Sequence, residues 1–142
     1  MSARLPLGAF SMSLAVKDLG VSRAFYGALG FEVVAGVADD GWLILRSGDC
    51  TLGLFQGHIP ENMLTFNPGW SSENVTLEEF EDVREIQARL KAAGAEFVNE
   101  ADPRGTGPAS FTVRDPDGNQ VFFDQHVPAP GAGPSTTGET DA

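Results

Sequence analysis

The stretch Arg114-Asp115-Pro116-Asp117-Gly118-Asn119-Gln120-Val121-Phe122-Phe123-Asp124 reads as a tight turn that feeds a strand. Pro116 presets φ, the side chains of Asp117 and Asn119 can bond their own backbone, and Gly118 suits a position with φ > 0. The residues that follow alternate. Gln120, Phe122, Asp124 and His126 fall on one face, Val121 and Phe123 on the other. A strand with a mixed polar and aromatic face is expected to wall a pocket, so that face is the first place to look for a function.

Upstream, the chain divides into two similar runs. Residues 9–17 alternate as a strand, with Met12, Leu14 and Val16 on one face and Ser11, Ser13 and Ala15 on the other. Asp18 is a good N-cap, and Val21, Phe25 and Leu29 recur every four residues, a helical stripe that Gly30 ends. Strands over 31–35, 42–46 and 50–56 follow, separated by turns at Asp39-Asp40-Gly41 and Ser47-Gly48-Asp49. The second run starts with a strand over 62–67 and a loop over 68–81. Asp82 and Glu85 then form a capping box, Val83, Ile86, Leu90 and Ala93 give an apolar stripe, and Gly94 closes the helix. Strands over 95–99, 110–113 and 119–124 complete it.

The halves echo in their residues as well as their pattern. Ala28-Leu29-Gly30-Phe31-Glu32-Val33-Val34 parallels Ala92-Ala93-Gly94-Ala95-Glu96-Phe97-Val98, and Gly48-Asp49 parallels Gly118-Asn119. An internal duplication is the economical explanation. A four-stranded unit with one helix leaves its other sheet face bare, and two such units can cover each other around a cup. Residues 1–127 are thus expected to be a single domain, with modules at about 9–57 and 61–127. Residues 128–142, rich in Pro, Gly, Ser and Thr, are expected to be a disordered tail.

Composition narrows the function classes. At 142 residues, 42% hydrophobic and 20% charged, the chain suits one globular domain. Its formal net charge of -11 repels nucleic acid and anionic membranes, and favours a cationic guest. No stretch is long enough to span a bilayer, residues 1–8 have no signal-peptide core, and the lone Cys50, expected to be a small buried hydrophobe, fits a reducing cytoplasm. No Gly-x-Ser-x-Gly elbow is present, and Gly105-Thr106-Gly107-Pro108 lacks the Lys of a phosphate loop.

The motifs Val16-Lys17-Asp18-Leu19, Ser22-Arg23-Ala24-Phe25-Tyr26, Leu29-Gly30-Phe31 and Asp115-Pro116-Asp117-Gly118-Asn119, in that order, resemble the vicinal oxygen chelate superfamily, the glyoxalase, bleomycin-resistance and ring-cleaving dioxygenase group. The resemblance covers about residues 9–127. It implies an α+β fold of two βαβββ modules forming a curved eight-stranded cup, commonly in a homodimer. It also implies a divalent metal in that cup, bound by His, Glu or Gln from four strands. The positions that resemblance assigns to ligands hold Ser11, Phe122 and, through the internal repeat, Leu52; the fourth falls near Met63 or Thr65. Hydroxyl, phenyl and aliphatic groups do not hold a divalent ion.

No resident cofactor is therefore expected, and the reading favoured is a metal-free protein that binds a small molecule. Ser11, Ser13, Gln56, Thr65, Asn67, Phe122 and Asp124 are expected to line the cup, with Trp70, in its own loop, as a lid. Trp42 is expected in the core or at a dimer contact. The alternative is a metal-dependent lyase, thiol transferase or dioxygenase with a displaced site built from His58, His126 and Asp124, with Glu61 as a further candidate.

Overall fold

Strands and helices alternate in two runs of the same order. A computed structural model describes residues 5–131. In it, β1 (Ala9–Ala15), α1 (Leu19–Ala28), β2 (Glu32–Val37), β3 (Trp42–Ser47) and β4 (Cys50–Phe55) form the first run. The second comprises β5 (Met63–Asn67), α2 (Val83–Ala92), β6 (Glu96–Asn99), β7 (Ala109–Arg114) and β8 (Gln120–Gln125). The protein is an α+β fold of two βαβββ modules. Phe10–Thr65 pack as one compact unit, and residues 66–131 with residues 5–9 as the other, so the boundary falls inside β5.

In the first unit the strand order is β2-β3-β4-β1, with β1 parallel to β4 and the other pairs antiparallel. Asp18 caps α1, its Oδ1 accepting the Val21 amide at 3.1 Å, and Gly30 leaves the helix at φ 108°. Leu19 and Tyr26 turn inward onto Leu43, Leu45 and Leu54. Leu45 and Leu54 are fully buried, each contributing about 1.5–3 kcal/mol by leaving water. The Val21–Phe25–Leu29 stripe is not the packing face. These side chains are 61–67% exposed. Cys50 is also exposed rather than buried. It pairs with Ser47 across the two-residue turn that joins β3 to β4, at the outer end of the hairpin.

In the second unit β8, β7 and β6 lie side by side and antiparallel. Val83, Ile86, Phe111, Val113 and Phe123 make its core. Asp82 caps α2, though not as a capping box. Its Oδ2 accepts the Arg84 amide at 3.0 Å, and the Glu85 amide goes to the Asp82 carbonyl at 2.9 Å. The Asp82 carboxylate is already committed to the Arg84 guanidinium and to Gln125. In the turn that closes β7 onto β8, Gly118 has φ 92° as expected, but the side chain that bonds the backbone is that of Asp115 rather than of Asp117 or Asn119: Asp115 Oδ1 accepts the Asp117 and Asn119 amides. The Asn119 side chain adds a bond to Asp115 Oδ2, and these bonds hold the Asp115 carboxyl below its usual range.

The duplication extends to irregularities. Register shifts between Val33 and Ala35 where β2 meets β3, and between Phe97 and Asn99 where β6 meets β7. Val34 and Val98, matched by the sequence repeat, thus occupy the same kind of bulge. Of the expected tail, residues 128–131 are described, and the Ala129 amide donates to the Thr106 carbonyl at 2.7 Å; residues 132–142 lie outside the described residues.

Candidate functional site

Each unit has one sheet face under its helix and one turned away from it, and strand alternation decides which side chains reach the latter. In the first unit the core register places Met12, Leu14, Leu52 and Leu54 on the helix side. Ser11 and Ser13 of β1 therefore face away, with Thr51, Gly53 and Phe55 of β4 beside them. Ser13 and Thr65, both buried, join β1 to β5 through a 2.8 Å bond between their hydroxyls. Ser11 is half-buried two residues before Ser13.

An aromatic surface lies on the same face. The Phe55 ring folds back over Gly53, where a Cβ would come within 2.6 Å of it. Trp42, half-buried, stacks on Phe55 at 6.5 Å and 7° between planes, and His58 meets Phe55 edge-on at 6.4 Å. His58 Nε2 also lies 2.6 Å from the Asp40 carbonyl, fixing the ring in the turn before β3. Arg46 donates to Thr51 Oγ1 at 3.3 Å, so this face carries a cation as well as hydroxyls.

Two placements differ from the sequence reading. Leu52 faces α1, so the side chains of β4 on the other face are those of Thr51, Gly53 and Phe55. Matching Gly48-Asp49 to Gly118-Asn119 puts the β4 register one residue out, and a one-residue slip in a strand changes the face of every side chain. Gln56, just past β4, follows Leu54 in the alternation. Its Oε1 accepts the Leu19 amide at 2.7 Å and so closes the first turn of α1.

In the second unit Phe122 and Asp124 of β8 face away from α2, because Phe123 and Phe111 hold the helix side. Asn67 Nδ2 donates to the Asp124 carbonyl at 2.8 Å and fixes the end of β5 to the end of β8. Asp124 Oδ2 accepts from His126 Nε2 at 3.1 Å, and Trp70 stacks on the His126 ring at 4.4 Å with the planes within 1°. The bond from Asp124 raises the His126 pKa above its ordinary value, against the opposing effect of partial burial. A protonated imidazole on an indole face is also a cation–π contact. Trp70 is held in a small hairpin: its amide donates to the Asn67 carbonyl at 3.1 Å, and it bridges to Thr76.

Four of the expected site residues, Asn67, Trp70, Phe122 and Asp124, are thus in the second unit, three of them linked through Asp124 and His126. Ser11, Ser13 and Thr65 share a face in the first, and Gln56 is turned to α1. The residue that composition and spacing did not flag is Gln125. It is 1% exposed, its Oε1 accepts the Val83 amide at 2.7 Å, and its Nε2 donates to Asp82 Oδ1 at 2.8 Å and the Val127 carbonyl at 3.0 Å. It bolts β8 to the start of α2, and by alternation directs its neighbours Asp124 and His126 to the other side. A polar residue in the apolar phase of a strand was the available signal.

The donor chemistry does not suit a divalent ion. Ser13 and Thr65 offer neutral hydroxyls already bonded to each other, and Phe122, Leu52 and Gly53 offer no donor. Among the described residues no group of three His, Cys, Asp or Glu side chains is placed to hold a metal. Nor does a nucleophile bond to the His126–Asp124 pair among them; the pair can orient an imidazole and hold its proton.

The superfamily model of the glyoxalase/bleomycin resistance protein/dioxygenase proteins matches residues 8–123, and the chain belongs to that superfamily. No curated protein matches the sequence. Among solved structures, a superfamily member from Vibrio splendidus is 20% identical, with a TM-score of 0.57 over 82% of this chain and 97% of that one. An NAD-dependent benzaldehyde dehydrogenase from Legionella pneumophila reaches 0.61 at 18% identity, over 82% and 98%. The Mn(II)-bound glyoxalase from Novosphingobium aromaticivorans reaches 0.56 at 18% identity, over 90% of this chain and 42% of that one. These likenesses show the glyoxalase/bleomycin-resistance-like fold, on which such different descriptions coexist; activity has to be argued from the site.

Proposed function

We propose that this protein binds a small molecule on the sheet faces turned away from its helices, without the metal customary in its superfamily. The observation that carries the reading is the donor set: at the positions that the resemblance assigns to ligands, this chain has Ser11, Phe122, Gly53 once the β4 register is corrected from Leu52, and Met63 or Thr65, the Thr65 hydroxyl being already bonded to Ser13. What remains is apolar and aromatic surface with a few placed hydroxyls, amides and charges, the usual make-up of a ligand site. The Trp42–Phe55 and Trp70–His126 stacks suit a planar group. The net charge of -11 supports a cationic guest, although Arg46 puts one positive charge on the first unit's face. A cytoplasmic setting fits the single cysteine; no helix among the described residues is long and apolar enough to cross a membrane.

Two measurements test this. Protein equilibrated with Ni²⁺, Zn²⁺, Mn²⁺ or Fe²⁺ and then dialysed is expected to retain less than stoichiometric metal. One tightly held ion per chain, lost on changing His58 or His126 to Ala, would instead establish the metal-dependent lyase, transferase or dioxygenase reading. In thermal shift against cationic glycopeptides, glutathione adducts and aromatic acids, a guest at a hundred times its Kd adds about 2.7 kcal/mol. Ser13→Val and Trp70→Ala are expected to diminish that shift, and a shift unchanged in both variants would move the site elsewhere.

A further inference from the structure

Arg46 stands on the first unit's outer sheet face with its charge unanswered. Acidic residues outnumber basic ones 20 to 9 in this chain, and Arg84, Arg89, Arg104 and Arg114 all have carboxylate partners. Arg46 is half-buried, and its one bond among the described residues runs from Nε to Thr51 Oγ1 at 3.3 Å. Nη1 and Nη2 have no partner among those residues.

The internal repeat offers a comparison. Glu32 lies opposite Arg46 between β2 and β3, and Glu96 lies opposite Arg114 between β6 and β7, each pair just before the bulge. In the second unit the pair closes: Arg114 Nε is 3.9 Å from Glu96 Oε2, and Arg114 Nη1 donates to the Gly118 carbonyl at 2.9 Å. In the first unit Glu32 and Arg46 form no ion pair, and the guanidinium reaches Thr51 on β4 instead. The same strand pair thus neutralises one arginine and leaves the other available.

Arg46 and Thr51 are opposite one another, and the next same-face pairs along these strands are Ile44–Gly53 and Trp42–Phe55. Successive same-face pairs are about 6.8 Å apart. Because the Phe55 ring folds back over Gly53, a single such step separates the Arg46–Thr51 pair from an aromatic surface backed by Trp42. Thr51 Oγ1 accepts from Arg46 and so keeps its own O–H to donate.

We propose that this face holds an aromatic carboxylate, its acid group gripped by Arg46 and Thr51 and its ring stacked on Phe55. The guanidinium fork matches a carboxylate in two parallel bonds, and a ring of opposite edge and face charge stacks offset on another. The inference rests on the small-molecule reading and narrows it, with an anion in place of the cation that net charge favours. Net charge acts through solvent, where fields fade over roughly 10 Å at 0.1 M salt, whereas Arg46 acts in contact.

Isothermal titration calorimetry of the full chain with naphthoate, naphthamide and naphthamidine compares one ring system carrying a negative, a neutral and a positive group. Naphthoate is expected to bind about tenfold or more tighter than the amide, with the amidine weakest. Arg46→Gln is expected to erase that preference while the amide still binds, and Arg46→Lys to keep part of it, since an ammonium supplies charge without the fork. Glu32→Gln is expected to leave the preference in place, because Arg46 is not committed to that acid. Phe55→Leu is expected to weaken all three alike, with circular dichroism confirming that each variant is folded. An amide or amidine that binds as well as naphthoate would overturn the inference and leave the small-molecule reading standing. A carboxylate preference that survives Arg46→Gln, or emerges only in Glu32→Gln, would also overturn it. Binding by none of the three would overturn both the inference and the first unit's share of that reading.

Discussion

Replacing Gln125 with Ala tests how the second unit holds its polar face in place. The side chain is 1% exposed and makes three hydrogen bonds, one of them to an ionised partner. Truncation strands the Val83 amide, on a residue with no exposure at the first turn of α2, where no intrahelical acceptor exists. An unsatisfied buried donor costs about 1–3 kcal/mol, and the lost bond to Asp82 a further 1.5–3 kcal/mol. Relaxation and water entry recover part of this, so about 3 kcal/mol is expected, enough to lower the melting temperature by roughly 10 °C in a domain of this size.

Gln125→Glu separates the electrostatic part. The new carboxylate still accepts the Val83 amide, but it sets a second negative charge where Nε2 now donates to Asp82 Oδ1. The folded pKa of the pair is pushed above the unfolded value, so the destabilisation is absent below the ordinary carboxylate range near pH 4 and appears as the pH rises through it. Urea melts read by circular dichroism from pH 4 to 8 measure both variants. Loss of less than about 0.5 kcal/mol in Gln125→Ala, or a Gln125→Glu penalty independent of pH, would refute the assignment of this network as the clamp.

Trp70 fluorescence should report the protonation of His126 on which it stacks: emission is expected to rise as the proton leaves, with a midpoint above the ordinary histidine value of about 6.5 that Asp124→Asn brings down. Because the folded pKa is raised, the stabilisation from the pair is complete below about pH 6.5 and is lost as the pH passes the folded midpoint; a parent midpoint at or below 6.5 would contradict the geometry. Gly118→Val is expected to cost about 1–3 kcal/mol through backbone strain alone, since φ is 92° and a Cβ there meets no atom within 4 Å. Unchanged stability in a urea melt would mean that the turn adopts another conformation.

The sequence made the fold legible because short-range signals agreed with one another. Asp18 and Gly30 bracket α1, Asp82 and Gly94 bracket α2, and Gly118 marks the last turn, each through chemistry local to a few residues. What it left open depends on long-range packing. The Val21–Phe25–Leu29 spacing identifies a helix but not the side that meets the sheet, because Leu19 and Tyr26 make the opposite side of α1 apolar as well and periodicity alone does not choose between them. The burial of Gln125 and the exposure of Cys50 invert their usual tendencies. The first is set by a partner 43 residues away and the second by its place at the end of a hairpin.

The β4 register bears most directly on function. Whether the first unit offers a ligand Leu52 and Gln56 or Gly53 and Phe55 turns on a single residue of alignment between two hairpins, and those hairpins have different loops. Ser47 pairs with Cys50 across two residues, whereas Arg114 pairs with Gln120 across five. Aligning the glycines of unequal loops matches the turns and slips the strands. Aligning the buried faces instead, Leu54 with Phe123, pairs Gly53 with Phe122 and leaves room on β4 for the Phe55 ring to lie back over the glycine. The face proposed as the first unit's site therefore carries an aromatic shelf over a glycine, and Gly53→Ala, whose methyl would meet that ring at 2.6 Å, is the smallest change that should displace the shelf. An altered near-ultraviolet Trp signal with the fold retained is the expected outcome. An unchanged signal would place the Phe55 ring elsewhere and leave the Trp42 stack without its support.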